Sequence, residues 1–189
     1  MKAKTAEFAY GLPGRAGFFP TANPDFGFDP LGFTKDATKD EVYRLREAEL
    51  AHSRVAMLAC AGFLVQEKVH PLFSGDGGPA IDQIPALPVW VWGVMLAGIG
   101  SAEQFRIAKG WQKFNSPDDM RTNGRTLREG YMPGDLGWDP AGIKPKDAEL
   151  LASMQEKELA NGRVAMLGAV GFLLQEAITG DTWGAYWGF

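Results

Sequence analysis

The sequence predicts an all-α integral membrane protein with three transmembrane helices, the first and third crossed about a pseudo-twofold axis. Three observations lead there. A stretch occurs twice: EAELAHSRVAMLACAGFLVQE at 47–67 and EKELANGRVAMLGAVGFLLQE at 156–176 agree at 14 of 21 positions at an offset of 109. Self-similarity at fixed spacing marks a duplicated unit, and two copies are too few for a solenoid. Between the copies, IPALPVWVWGVMLAGIGSA at 84–102 carries no charge, and its prolines stand only at the start, where a helix tolerates them. Finally, if all three helices cross, 16 of the 19 Lys and Arg share one side: seven up to Arg46 and nine from Arg106 to Lys157. Lys68 alone falls on the far side, the asymmetry expected of a membrane topology.

The 189 residues read as a single domain over 1–189. Residues 1–40, rich in Gly, Pro, Phe and Asp, have no sustained period and form an irregular arm. Helix one follows over 41–69, although its uncharged run, Val55 to Gln66, is too short to span a bilayer alone. After a Gly/Pro-rich loop comes helix two, 84–110, whose apolar part within Gln83 to Ala102 is the one segment that hydropathy alone makes transmembrane. A polar, basic stretch leads to helix three, 147–178, and an aromatic tail, 181–189, of the kind found at membrane interfaces. Each repeat is preceded by a related turn: Asp25-Phe-Gly-Phe-Asp-Pro-Leu-Gly32 and Asp135-Leu-Gly-Trp-Asp-Pro-Ala-Gly142. A net charge of -4 and the lack of basic-aromatic clusters exclude a nucleic-acid partner, and the single Cys60 excludes an internal disulfide. No secretory signal stands at the N-terminus, so the chain is expected to be soluble or a mature form with its targeting segment removed.

Charges inside membrane helices require partners, because an unpaired one costs several kcal/mol. Glu49 and His52 lie about 60° apart on one helix face, whereas Arg54 lies about 140° from Glu49, too far to pair with it. Two crossed helices solve this if Arg54 meets Glu158 and Arg163 meets Glu49. Gly62, Gly168, Gly171, Ala56 and Ala165 supply small residues for a close approach. His52 and Asn161 then occupy equivalent positions without a charge to serve, and Gln66 and Gln175 follow each by fourteen residues, about 21 Å along the same face. Each is a Lewis base able to fill one axial site on a metal macrocycle, and magnesium prefers the oxygen donors. Helix-to-helix hydrogen bonding or helix-end positions are the plainer roles of these residues. Glu103 and Arg106 can pair locally and leave one carboxylate oxygen available.

These residues resemble the light-harvesting chlorophyll-binding antenna superfamily of plastids. ELAHSRVAM and ELANGRVAM are similar to its two generic motifs, with PGDLGWDPAG, AEQFRIAKGW and HPLF as further matches. The resemblance covers about 25–180. It implies chlorophyll magnesium ligation by Glu49, His52, Gln66, Glu103, Glu158, Asn161 and Gln175, structural ion pairs at Arg54, Arg163 and Arg106, and carotenoid end groups at Asp29 and Asp139. It also implies a stromal arm, a lumenal tail, a multi-pass location in the chloroplast thylakoid membrane, and chlorophyll a, chlorophyll c, xanthophylls and β-carotene as cofactors. Implied partners are a photosystem core, with photosystem I favoured by HPLF, neighbouring antenna subunits and thylakoid lipids.

The best GDxGWD turn precedes the third helix, which with Gln in both repeats resembles the red-lineage, fucoxanthin-type chlorophyll a/c branch. Met95 stands where the a/b branch has a Gln ligand, and no His follows in the tail. The implied function is an antenna that transfers excitation energy to a photosystem and is not an enzyme. Two alternatives stand beside it: a photoprotective quencher of the same superfamily, with Glu67, Asp76, Asp82, Glu176 and Asp181 on the far side, and a di-metal carboxylate protein built on Glu49-x-x-His52. The second lacks donors, since the other repeat has Asn161.

The crossed ion pairs are testable. Arg54→Leu leaves Glu158 uncompensated in a low-dielectric site, at a cost of several kcal/mol. The variant is expected to fold poorly and to lose the chlorophyll on that glutamate; folding with a full pigment complement would refute the crossed pairs.

Overall fold

The computed structural model describes residues 8–14, 28–68, 78–113, 117 and 126–188. Outside these lie the start of the first turn (Asp25 to Gly27), the HPLF segment with His70, Asp76, Arg121, Arg125, and Lys2, Lys4 and Arg15 of the arm. The described helices are α1 (Lys39–Lys68), α2 (Ala80–Ala86), α3 (Val89–Gly110), α4 (Ala148–Thr179) and α5 (Trp183–Trp187). Among the described residues there is no strand, only an isolated antiparallel bridge between Trp111 and Leu127.

Each long helix starts where its sequence supplies a cap. At α1, the Glu41 carboxylate accepts from the Thr38 N–H at 2.8 Å and the Thr38 hydroxyl at 2.9 Å, which makes a capping box with the Glu41 N–H. At α4, Asp147 Oδ2 accepts from the Leu150 N–H at 3.2 Å. That helix ends at Gly180, whose φ of 73° only glycine adopts without strain.

The middle of the chain departs from expectation. Helix two was expected from residue 84, but α2 and α3 are separate helices, broken at Leu87 (φ -70°, ψ 135°). Pro88 is the cause: its ring crowds the preceding residue out of the helical region. This shortens the apolar part of α3 to Val89–Ala102, so a span-length window must include Glu103, Gln104 and Arg106. The described helix long and apolar enough to cross a membrane is therefore α1 over Lys39–Glu67, not the 84–102 segment. Only 17% of its apolar window is buried, so this hydrophobicity is not spent on a protein core.

The described chain divides into two compact units: Met1–Ala51 with Arg106–Asn161, and His52–Phe105 with Gly162–Phe189. In the first, Leu12, Val42, Leu50 and Leu159 form the buried core. Glu47, 2% exposed, lies among them; its carboxylate accepts from the Gly134 N–H at 2.7 Å and the Tyr131 hydroxyl at 3.2 Å. In the second, Ser53 is fully buried against Gly162. Phe63 and Phe172 meet edge to face, with ring centroids 5.9 Å apart. Both contacts join residues at the same repeat position, 109 apart in sequence. Equivalent residues can touch each other only where a local twofold axis passes between them.

Close helix approach falls at a position the small-residue pattern did not single out. A Cβ on Gly162 would lie 2.4 Å from Ser53 Cβ, whereas Gly62 and Gly171 have nothing within 4 Å. Gly168 makes an ordinary 3.4 Å contact with Cys60 Sγ, and the Cys60 thiol donates to the Ala165 carbonyl at 3.3 Å. Gly162→Ala is accordingly expected to destabilise the fold by about 1–3 kcal/mol through overpacking. Gly171→Ala should be neutral or stabilising, by up to about 1 kcal/mol, through helix propensity. Thermal unfolding of the two variants checks this; equal midpoints would contradict the packing described.

Candidate functional site

The sequence-predicted site residues lie along α1, α3 and α4 and do not converge. Glu49, Arg54 and Gln66 are half-buried on α1, with His52 exposed between them. Glu158, Arg163 and Gln175 are half-buried on α4, and Asn161 is exposed. Glu103 is exposed near the end of α3. Among the described residues, no three of His, Cys, Asp and Glu gather to hold a metal ion. The arrangement offers single donors at separate points, suited to ions that already carry most of their ligands.

The three amide side chains share one hydrogen-bonding pattern. Asn161 donates through Nδ2 to the Lys157 carbonyl at 2.9 Å, and Gln66 donates through Nε2 to Gln83 Oε1 at 3.4 Å. Gln175 donates through Nε2 to Thr179 Oγ1 at 2.8 Å and to the Asp181 carbonyl at 3.0 Å. Its Oε1 is buried without a hydrogen-bond partner among the described residues. Leaving a buried amide oxygen unmatched costs about 1–3 kcal/mol. Tying the nitrogen down and leaving the carbonyl oxygen over is what a magnesium ligand requires, since only the oxygen donates. The amides therefore fit an axial ligand role.

The charged residues have neighbours that sequence spacing did not reveal. Arg46 Nε lies 3.4 Å from Glu49 Oε2, one helical turn away. Arg106, expected beside Glu103, places Nη1 3.6 Å from Glu47 Oε1. Glu47 is thus a structural residue that the reading of the motifs missed. Its counterpart Glu156 accepts from the Gly14 N–H. At the other end of the repeats, Glu67 accepts from the N–H groups of Trp183 at 2.7 Å and Gly184 at 3.0 Å. Glu176, 2% exposed, accepts from the Ile81 N–H at 3.2 Å. Two of the acids considered as far-side pH sensors are therefore engaged with backbone. The available signal was position: these four glutamates are the first and last residues of the two repeats.

Asp29 and Asp139 hold equivalent turns. Asp29 accepts from the Thr34 hydroxyl at 2.6 Å and from the N–H groups of Thr34 and Phe33; Asp139 accepts from the N–H groups of Lys144 and Ile143. The Thr34 hydroxyl chiefly holds the Asp29 carboxyl below its ordinary pKa, and the Lys144 N–H does the same for Asp139. A lowered folded-state pKa means that the turns are supported above the ordinary carboxylate value. They lose that support as pH falls through the lowered one.

The chain matches the family described as Chlorophyll A-B binding protein over residues 16–177. It is 61% identical over 186 residues to a fucoxanthin-chlorophyll a-c binding protein of Isochrysis galbana, covering 98% of this chain and 86% of the relative. It is 44% identical over 177 residues to light-harvesting complex stress-related protein 1 of Chlamydomonas reinhardtii, covering 90% of this chain and 66% of that one. Photosystem I chlorophyll a/b-binding protein 5 of Arabidopsis thaliana is 30% identical over 191 residues, covering 87% and 71%. With its duplicated helices, matching turns and this likeness along nearly its whole length, the chain belongs to the light-harvesting chlorophyll-binding superfamily, in its fucoxanthin-type branch.

Proposed function

We propose that this protein is a three-span thylakoid antenna that holds chlorophyll a, chlorophyll c and xanthophylls, with β-carotene as a further carotenoid, and passes excitation to a photosystem. The observation that carries the reading is the anchored amide of Gln175, whose buried Oε1 has no partner among the described residues. Gln66, at the equivalent position of α1, is anchored through the same nitrogen. The remaining assigned ligands are Glu49, His52, Glu103, Glu158 and Asn161, with Arg54, Arg163 and Arg106 compensating carboxylate charge. Asp29 and Asp139 shape the turns that receive carotenoid end groups. The bound pigments supply light absorption and energy transfer; the chain fixes their positions and performs no covalent chemistry. Exposed apolar residues support the setting: Val55 and Val164 are 67% and 62% exposed, and Leu58 and Leu167 are 75% and 63% exposed. Such surfaces need lipid or pigment as a cover. Photosystem I is the favoured partner, in keeping with HPLF and the photosystem I relative.

A photoprotective role is the second reading, favoured by the 44% identity to the stress-related protein. Fluorescence separates the two. In mild detergent, the excitation spectrum of chlorophyll emission should contain the xanthophyll band, and the lifetime should stay long as pH is lowered from 7.5 to about 5. A lifetime that shortens on acidification supports quenching. Absence of the xanthophyll band from the excitation spectrum would contradict both.

A further inference from the structure

Glu49 and Glu158, the two carboxylates assigned to chlorophylls on α1 and α4, stand at the same repeat position, 109 residues apart. Their own helices treat them differently. Three residues before Glu49 stands Arg46, and three residues before Glu158 stands the neutral Gln155. That spacing brings side chains together on a helix surface, and Arg46 Nε lies 3.4 Å from Glu49 Oε2. The pair is not a solvated one: the Arg46 side chain is 10% exposed and that of Glu49 27%. Val42 and Leu50, one turn to either side of Arg46 on the same face, are buried. A charge in such a setting is weakly screened.

The neighbouring charges do not remove this difference between the repeats. Glu47, next to Arg46, is matched by Arg106 at 3.6 Å. Lys157, the counterpart of Ala48 beside Glu158, is exposed, so water and salt screen it. A cation on a ligand carboxylate has two effects. It draws electron density from the oxygens and weakens their donation to the magnesium, in the way that groups behind a ligand tune a bound metal. It also adds a fixed field, and because excitation redistributes charge over a macrocycle, a fixed field shifts the transition energy. Gln155 supplies no such charge.

We propose that Arg46 sets the excitation energy of the chlorophyll on Glu49 apart from that of its repeat counterpart on Glu158. The proposal rests on the ligand assignments of the proposed function. Excitation runs downhill in energy, so two sites made unequal in this way give transfer between them a direction that an exact twofold would not. Arg46 acts through Glu49, as a positioning residue.

Pigment-loaded chains are compared by low-temperature absorption and by chlorophyll count. Arg46→Gln, which copies the second repeat, is expected to keep the full count and to shift one red band with the area of one chlorophyll. Arg46→Lys, which keeps the charge, should leave that band in place. Gln155→Arg, which copies the first repeat, should shift a different band in the opposite sense. The double variant Arg46→Gln, Glu49→Leu removes the pair together and should lose one chlorophyll, whose missing band is the one that Arg46→Gln shifts. An unmoved band in Arg46→Gln or in Gln155→Arg, an equal shift in Arg46→Lys, or selective loss of that chlorophyll from Arg46→Gln in place of a shift would each overturn the proposal and leave the antenna reading standing. A double variant with every chlorophyll in place refutes the assignment of Glu49 and the proposal with it; a colourless wild-type chain refutes the antenna reading itself.

Discussion

Carboxylates at the ends of the two repeats hold this fold together. Glu47 of α1 takes the N–H of Gly134, in the segment before α4, and Glu156 of α4 takes the N–H of Gly14, in the arm before α1. At the opposite ends, Glu67 of α1 takes the first N–H groups of α5, which follows α4. Glu176 of α4 takes the Ile81 N–H in α2, which follows α1. Each long helix thus fastens the segments flanking the other. Hydrogen bonds to a charged acceptor are worth about 1.5–3 kcal/mol each, roughly twice a neutral one. Within each unit, the reciprocity resists sliding of one repeat against the segments it fastens, because a shift breaks these bonds.

That constraint is what a scaffold of single-donor sites needs. An axial ligand contributes one bond and cannot by itself fix where a macrocycle sits, so the height of the donor must be set by the frame. In the second unit, the equivalent contacts Ser53–Gly162 and Phe63–Phe172 set the axis between the repeats, and Glu67 and Glu176 fasten their ends. Gln66 and Gln175 stand one residue before Glu67 and Glu176. The residue that fastens the helix end is therefore the immediate neighbour of the residue assigned to a pigment. Glu67 and Glu176 are each engaged with backbone N–H groups of the segment that follows the other repeat.

Much of this was legible in the sequence because duplication is visible without knowing contacts. The repeat located both long helices, and the paired Asp-Pro turns are matched in the structure by the same side-chain-to-backbone bonds at Asp29 and Asp139. The break between α2 and α3 runs against the expectation of prolines tolerated at a helix start, because Pro88 acts on the residue before it. Glu67 and Glu176 stand in the sequence as far-side acids, and Glu47 and Glu156 draw no role there, because their partners are N–H groups 87 and more residues away, which no local spacing reports. Likewise Gly162 differs from other small residues only in what it faces, Ser53, and facing is a property of the folded pair.

The central claim is that anchored amides at equivalent repeat positions each hold one chlorophyll on this frame. The most direct measurement is the chlorophyll-to-chain ratio, by pigment extraction and chromatography, of the wild-type protein beside Gln66→Leu and Gln175→Leu. Leucine keeps the side chain's bulk and removes the carbonyl donor. The account predicts several chlorophylls per wild-type chain, with one lost in each variant and the xanthophylls retained. A full complement in both variants, or a colourless wild-type protein, would contradict it.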